Sequence, residues 1–214
     1  MSRNKYPEET VNLILDVAQK LMLEKGYDNT SIQDIINGLG GLSKGAVYHH
    51  FKSKEEIFYS VAERFNKQAV YEIKQVRDDT TLTGLEKLKK MFQISLAQSD
   101  GDIVYSTAPN MLDNPRLLSF QVQEIFSDVA PNYVRPVLEQ AIKDGSIKTD
   151  YPKEMAEVII LLTNLWLNPL VIRTDADNME KRVRFFNDLL KRYNIELLDE
   201  EMLNSYKRYC TLIK

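Results

Sequence analysis

The chain has 214 residues, a formal net charge of −3, 43% hydrophobic residues and 28% charged ones, which excludes a disordered, collagen-like or disulfide-dense protein. Its mild acidity excludes a protein that coats nucleic acid indiscriminately, so any DNA contact has to be local. The most apolar stretch, residues 158–171, is interrupted by Thr163, Asn164, Asn168 and Pro169 and falls short of the roughly twenty apolar residues of a bilayer span, so no membrane partner is expected.

The start, Met1-Ser2-Arg3-Asn4-Lys5, is basic, but Glu8, Glu9 and Asp16 follow where a secretory leader would need an apolar run, so the expected location is the cytoplasm. Val11, Ile14, Leu15, Ala18, Leu21 and Met22 recur at helical spacing and predict a first helix over about 8–25, ended by Gly26. Thr30-Ser31-Ile32-Gln33 reads as a capping box opening a second helix, with Thr30 as the cap. Gly38, Gly40 and Gly41 end it. Ser43 caps a short third helix reaching about His50, and Ser53-Lys54-Glu55-Glu56 is a second capping box that opens a long fourth helix to about residue 77. Ile57, Phe58, Val61, Ala62, Phe65, Ala69, Ile73 and Val76 form its apolar stripe.

Thr83 to Glu86 caps a fifth helix carrying Leu85, Leu88, Phe92 and Leu96, and a shorter one is expected between Asp102 and Met111. Asn114-Pro115 opens a long helical region, kinked or broken near Pro131 and Pro136 and ended by Asp144-Gly145. Beyond Asp150 lies a helix apolar almost all round, with Val158, Ile159, Leu162, Leu165, Trp166 and Leu170, which has to be buried. Another follows from about Asp177, with Met179, Val183, Phe186, Leu189, Leu190 and Tyr193 inward, and a last helix from Asp199 carries Met202, Leu203, Tyr206 and Ile213. The fold class is therefore all-α with nine to ten helices: a small N-terminal unit over 1–53 and a larger helical one over 54–214, connected by the fourth helix. Cys210, the only cysteine, reads as a small hydrophobe of the tail.

Two short helices around a tight turn, the second starting with small residues, are what a helix-turn-helix needs to bring a helix N-terminus against base edges in the major groove. Thr30 to Phe51 supplies them: Ser43, Lys44, Gly45 and Ala46 permit close approach, and Lys44 reaches guanine acceptors or a phosphate. Residues 1–60 carry seven Lys and Arg against eight Asp and Glu, yet Ser43 to Lys54 holds Lys44, Lys52, Lys54, His49 and His50 and no acid. His49 and His50 point about 100° apart on a helix, with no thiol or carboxylate at ligand spacing, so no metal is expected, and no cofactor either.

Thr30-Ser31-Ile32-Gln33-Asp34-Ile35, then Gly41-Leu42-Ser43-Lys44-Gly45-Ala46-Val47-Tyr48-His49-His50-Phe51-Lys52-Ser53-Lys54-Glu55-Glu56-Ile57, resembles the N-terminal motif of the TetR family of transcriptional regulators. The resemblance covers roughly residues 8–60; over the rest only helix number and order are similar. Two positions depart from the family pattern: the turn Leu39-Gly40-Gly41-Leu42 has one extra residue, and Ile36 stands where alanine is usual. The resemblance implies base reading by Lys44, Gly45 and His49 and phosphate contact by Thr30, Ser43, Tyr48, His50 and Lys54. It also implies a homodimer on palindromic operator DNA, a seam including Leu162, Trp166, Phe186 and Leu190, and an unidentified small-molecule effector held by Met91, Phe92, Tyr105, Phe120, Phe126 and Tyr133. The reading is of a repressor released by that effector and not of an enzyme. The competing classes are a helical adaptor without DNA binding, which would not need Gly45, Tyr48 and Lys54 together, and an all-helical enzyme, which would need a nucleophile with a base or metal ligands.

Overall fold

Eleven α-helices and no strand occupy the described residues, 7–97 and 101–213, of the computed structural model. The basic start, Met1–Lys5, and the side chain of Phe65 lie outside what is described. Among the described residues no helix is long and apolar enough to cross a membrane. Packing divides the chain into two units: the first comprises the chain through Asn66 with Thr107–Pro109, and the second comprises Lys67–Ser106 with Asn110–Lys214.

In the first unit, α1 (Pro7–Lys25) buries Ile14, Leu15, Ala18 and Met22, with Glu8 and Glu9 on the positive end of the helix dipole and Lys25 on the negative end. Gly26, at φ +81°, stops it by donating its N–H to the Met22 carbonyl. Helix α2 (Ile32–Gly38) starts one residue later than the sequence suggests. The cap is Ser31, whose hydroxyl accepts from Asp34 N–H while the Asp34 carboxylate accepts from Ser31 N–H, so Asp34 takes the place expected for Gln33. Gly38 permits the crossing of α1 and α2, because a Cβ there would lie 2.7 Å from Val17 Cγ1. The extra residue of the turn is absorbed by Gly40 and Gly41, at φ +60° and +137°, conformations costly for any side chain. Helix α3 (Lys44–His50) and α4 (Lys54–Asp78) follow. Ile57 and Val61 of α4 are buried in the first unit's core, which is why the division falls at Asn66 inside α4 and not at the expected residue 53.

In the second unit, α5 (Gly84–Leu96) is capped by the expected box of Thr83 and Glu86. It meets the helix over Arg135–Lys143 (α8) so closely that a Cβ on Gly84 would lie 2.3 Å from Ala141 N. Helix α6 is Gly101–Thr107. The run from α7 (Pro115–Glu124) to α8 is helical throughout, with a π-helical stretch, Ile125–Val134, around Pro131 where a kink or break was expected. Near the end of that stretch Arg77 Nη1 donates to the Asn132 carbonyl at 3.0 Å. Splitting this one long helix into two brings the count above the nine to ten expected. Helix α9 (Pro152–Leu161) also widens into a π turn, Leu162–Trp166, before α10 (Ala176–Lys191) and α11 (Glu200–Leu212) complete the unit. Its core runs through Leu88, Phe92, Ile125, Leu138, Ile159, Phe186, Met202 and Tyr209.

Candidate nucleic-acid interface

Helix α3 is built to be presented. Ser43 caps it, its hydroxyl accepting from Ala46 N–H at 3.2 Å, and Val47 and Phe51 pin one face into the core of the first unit. The opposite face carries Lys44, Gly45, Tyr48 and His49 exposed, with His50 half-exposed. Lys44 Nζ lies 5.6 Å from the centre of the Tyr48 ring, which steadies both side chains on the outer face. The rings of His49 and His50 meet edge to face with centroids 5.1 Å apart. Gly45 is the informative residue. Its φ is not in the left-handed range, and the sole neighbour of an added Cβ is Ser43 Oγ at 3.8 Å, so nothing within the unit demands a glycine. Glycine inside a helix costs roughly 1 kcal/mol relative to alanine, and an exposed, uncrowded one at a helix start suits close backbone approach by something outside.

Two residues expected at phosphates are held elsewhere. Thr30 is 1% exposed and donates its hydroxyl to the Gly26 carbonyl at 2.8 Å, closing the α1–α2 turn. Lys54 Nζ donates to the Tyr27 carbonyl at 3.0 Å and lies 3.9 Å from the centre of that ring, and burial pushes its pKa down. It fastens the start of α4 to the α1–α2 turn. Ser53 still caps α4 by accepting from Glu56 N–H, but the Glu56 carboxylate turns one residue further back, to Lys52 N–H, which opens the expected box.

Residues 14–61, which include α2, the turn, α3 and the start of α4, match the family described as bacterial regulatory proteins, tetR family. Over this segment the chain resembles the TetR family of transcriptional regulators. Among its relatives, the HTH-type transcriptional repressor KstR2 of Mycolicibacterium smegmatis is 28% identical over 141 residues, 64% of this chain and 67% of that protein. The HTH-type regulator YhgD of Bacillus subtilis is 27% identical over 154 residues, 70% of this chain and 78% of its own. In fold the chain is similar to Salmonella enterica GusR, with a TM-score of 0.58 and 20% identity over 98% of this chain and 97% of that one. A TetR-family regulator from Agrobacterium tumefaciens gives 0.52 and 21% over 87% and 98%.

The second unit places the remaining expected residues unevenly. Met91 and Phe92 are buried in the core, Tyr105, Phe120 and Tyr133 are half-buried, and Phe126 is 47% exposed on the outside of the π-helical run, which removes it as a cavity wall. Tyr105 stacks on Tyr209 at 4.0 Å between centroids, and Arg77 covers Tyr133. Of the four seam candidates, Leu162 and Trp166 are half-buried, whereas Phe186 and Leu190 sit inside the core of their own subunit and have no face left for a partner. Exposed in their stead are Phe185 at 54%, Leu189 at 44% and Val158 at 45%. On α10 the exposed apolar residues are thus one position away from those chosen. Adjacent apolar pairs, Phe185-Phe186 and Leu189-Leu190, carry the signal: neighbours 100° apart cannot both face one core, so each pair encodes two apolar stripes.

Proposed function

We propose that this regulator is a cytoplasmic homodimeric repressor that sets two copies of α3 into successive major grooves of a twofold-symmetric operator and leaves it when a small molecule binds the second unit. The observation that carries the reading is the uncrowded, exposed Gly45 at the start of α3, flanked by Ser43, Lys44, Tyr48, His49 and His50 with no acid on the helix. Lys44, Gly45 and His49 read base edges; Ser43, Tyr48 and His50 hold phosphates. Lys52, exposed just beyond α3, is a better phosphate partner than Thr30 or Lys54, both of which are engaged inside the unit.

Dimerisation is supported by an apolar strip on α9 and α10. Val158, Leu162 and Trp166 follow one another at helical spacing, and Phe185 meets Trp166 edge to face at 6.0 Å and leads to Leu189 one turn on. Contiguous exposed apolar surface of this kind marks an interaction face. The effector would be held by Met91, Phe92, Tyr105, Phe120 and Tyr133, with Gln121 and Asn164, hydrogen-bonded to each other at 3.3 Å, as polar contacts that a ligand can exchange. The repressor reading rests on the repressors among the relatives.

Selection of duplexes from a random library by the purified chain tests the proposal. One palindromic consensus is expected, bound so that log affinity falls linearly with log salt. Enrichment of no sequence over the starting library refutes it.

A further inference from the structure

We propose that His49 and His50 together form a proton sensor on the reading helix, so that mild acid strengthens the DNA complex; this rests on the DNA-reading role proposed above. They are the only two histidines of the chain, adjacent in the last turn of α3. His49 is exposed and His50 half-exposed, their rings touch each other edge to face, and neither makes a hydrogen bond or ion pair among the described residues. Imidazole is the side chain that gains charge between pH 8 and pH 5.

The acids around α3 are occupied. Asp28 and Glu55 lie beside Lys54, Glu56 accepts from Lys52 N–H, and Asp34 is bridged to Lys25 and Ser31. On α1, Asp16 pairs with Arg64 and Glu24 with Lys20, while Glu8 and Glu9 are exposed at the start of that helix and Glu63 is exposed on α4. No carboxylate of the unit is paired with either imidazole, so a phosphate is the natural counterion. Among the described residues, the permanent cations available beside α3 are Lys44 and Lys52, because Lys54 is bound to the Tyr27 carbonyl. Protonation of both histidines therefore doubles the positive charge of the reading surface, from two to four. Each added cation that neutralises a phosphate steepens the salt dependence by about 0.9 in log affinity per log salt.

The test is a binding titration of the full chain on the selected duplex at pH 6.0 and pH 8.0, each across a salt series. Roughly tenfold or more tighter binding is expected at pH 6.0 in moderate salt, with a slope steeper by at least about one. The double variant His49→Gln, His50→Gln keeps hydrogen-bonding side chains that do not titrate, and loses the difference between the two pH values. Lys44→Gln weakens binding at both pH values and retains the difference. Equal affinity and equal slope at the two pH values overturn the proposal, as does a double variant that keeps the wild-type pH dependence. Binding to no duplex at either pH refutes the DNA-reading role itself and the sensor with it, and is distinguished from failure of the sensor alone by the pH 8.0 titration.

Discussion

Gly45 and Asp34 show how single residues on the same small unit serve opposite ends. Replacing Gly45 by alanine removes a helix-interior glycine where there is room for the methyl group, so thermal stability rises by roughly 0.5–1 kcal/mol. Affinity for the selected duplex falls at least tenfold because the methyl group occupies the approach surface; a Gly45→Ala protein that melts higher and binds as well as the parent removes Gly45 from the interface. Asp34 works for the fold. The hydroxyl and N–H of Ser31, with Lys25, hold its carboxyl at about 2, below its ordinary 3.8. A carboxylate lowered by folding stabilises fully above its unfolded value and loses that contribution as pH falls through the folded one, so the window is about pH 4 to 2. Melting curves across it fall more steeply for the parent than for Asp34→Asn, and parallel curves would show that the cap carries no acid sensitivity. The chemistry of this cap was legible in the sequence, but its register was not: Thr30-x-x-Gln33 and Ser31-x-x-Asp34 are both acceptable boxes. The tie is broken by the Gly26 carbonyl, which takes the Thr30 hydroxyl.

At the scale of elements, the join of α5 and α8 depends on the absence of a side chain at Gly84, whose N–H also donates to the Asp144 carboxylate at 2.7 Å. Gly84→Ala drives a methyl group into the Ala141 backbone, and overpacking of this kind costs about 1–3 kcal/mol. A drop of several degrees in Tm, with α-helical circular dichroism retained at low temperature, is the expected outcome; an unchanged Tm would mean the two helices part freely. Most helix starts could be read directly, because Ser43, Ser53, Thr83 and Asp199 cap by local chemistry that the sequence displays. The prolines could not. Whether Pro131 and Pro136 break a helix or widen it depends on distant partners such as Arg77, which donates to the Asn132 carbonyl from 55 residues away. The same distance effect hid the role of Lys54, whose acceptor lies 27 residues earlier.

For the molecule as a whole, the proposed DNA reading resides in one short stretch and the proposed assembly in another. Residues 14–61 are specific enough to match a family, whereas the second unit speaks only through apolar periodicity, which finds buried faces more readily than exposed ones. Phase along α10 decides between core and exposed stripe, and apolar periodicity does not fix that phase to a single residue. Phe185→Glu combined with Leu189→Glu places charge on the exposed stripe and leaves Phe186 and Leu190 untouched. Sedimentation is expected to give a monomer, and duplex affinity to fall by 100-fold or more as the paired heads are lost, with helix content unchanged; a variant that still sediments as a dimer moves the seam elsewhere. The Arg77 guanidinium on the Asn132 carbonyl has a further effect on the way the second unit breathes. The Arg77 carbonyl is in turn held by the buried Lys87 ammonium at 2.8 Å, so the last turn of α4 and the π-helical run cannot fray separately. Loosening either strips the other of a partner, and hydrogen exchange is expected to show the backbone amides of residues 74–78 and 132–135 opening together rather than at independent rates.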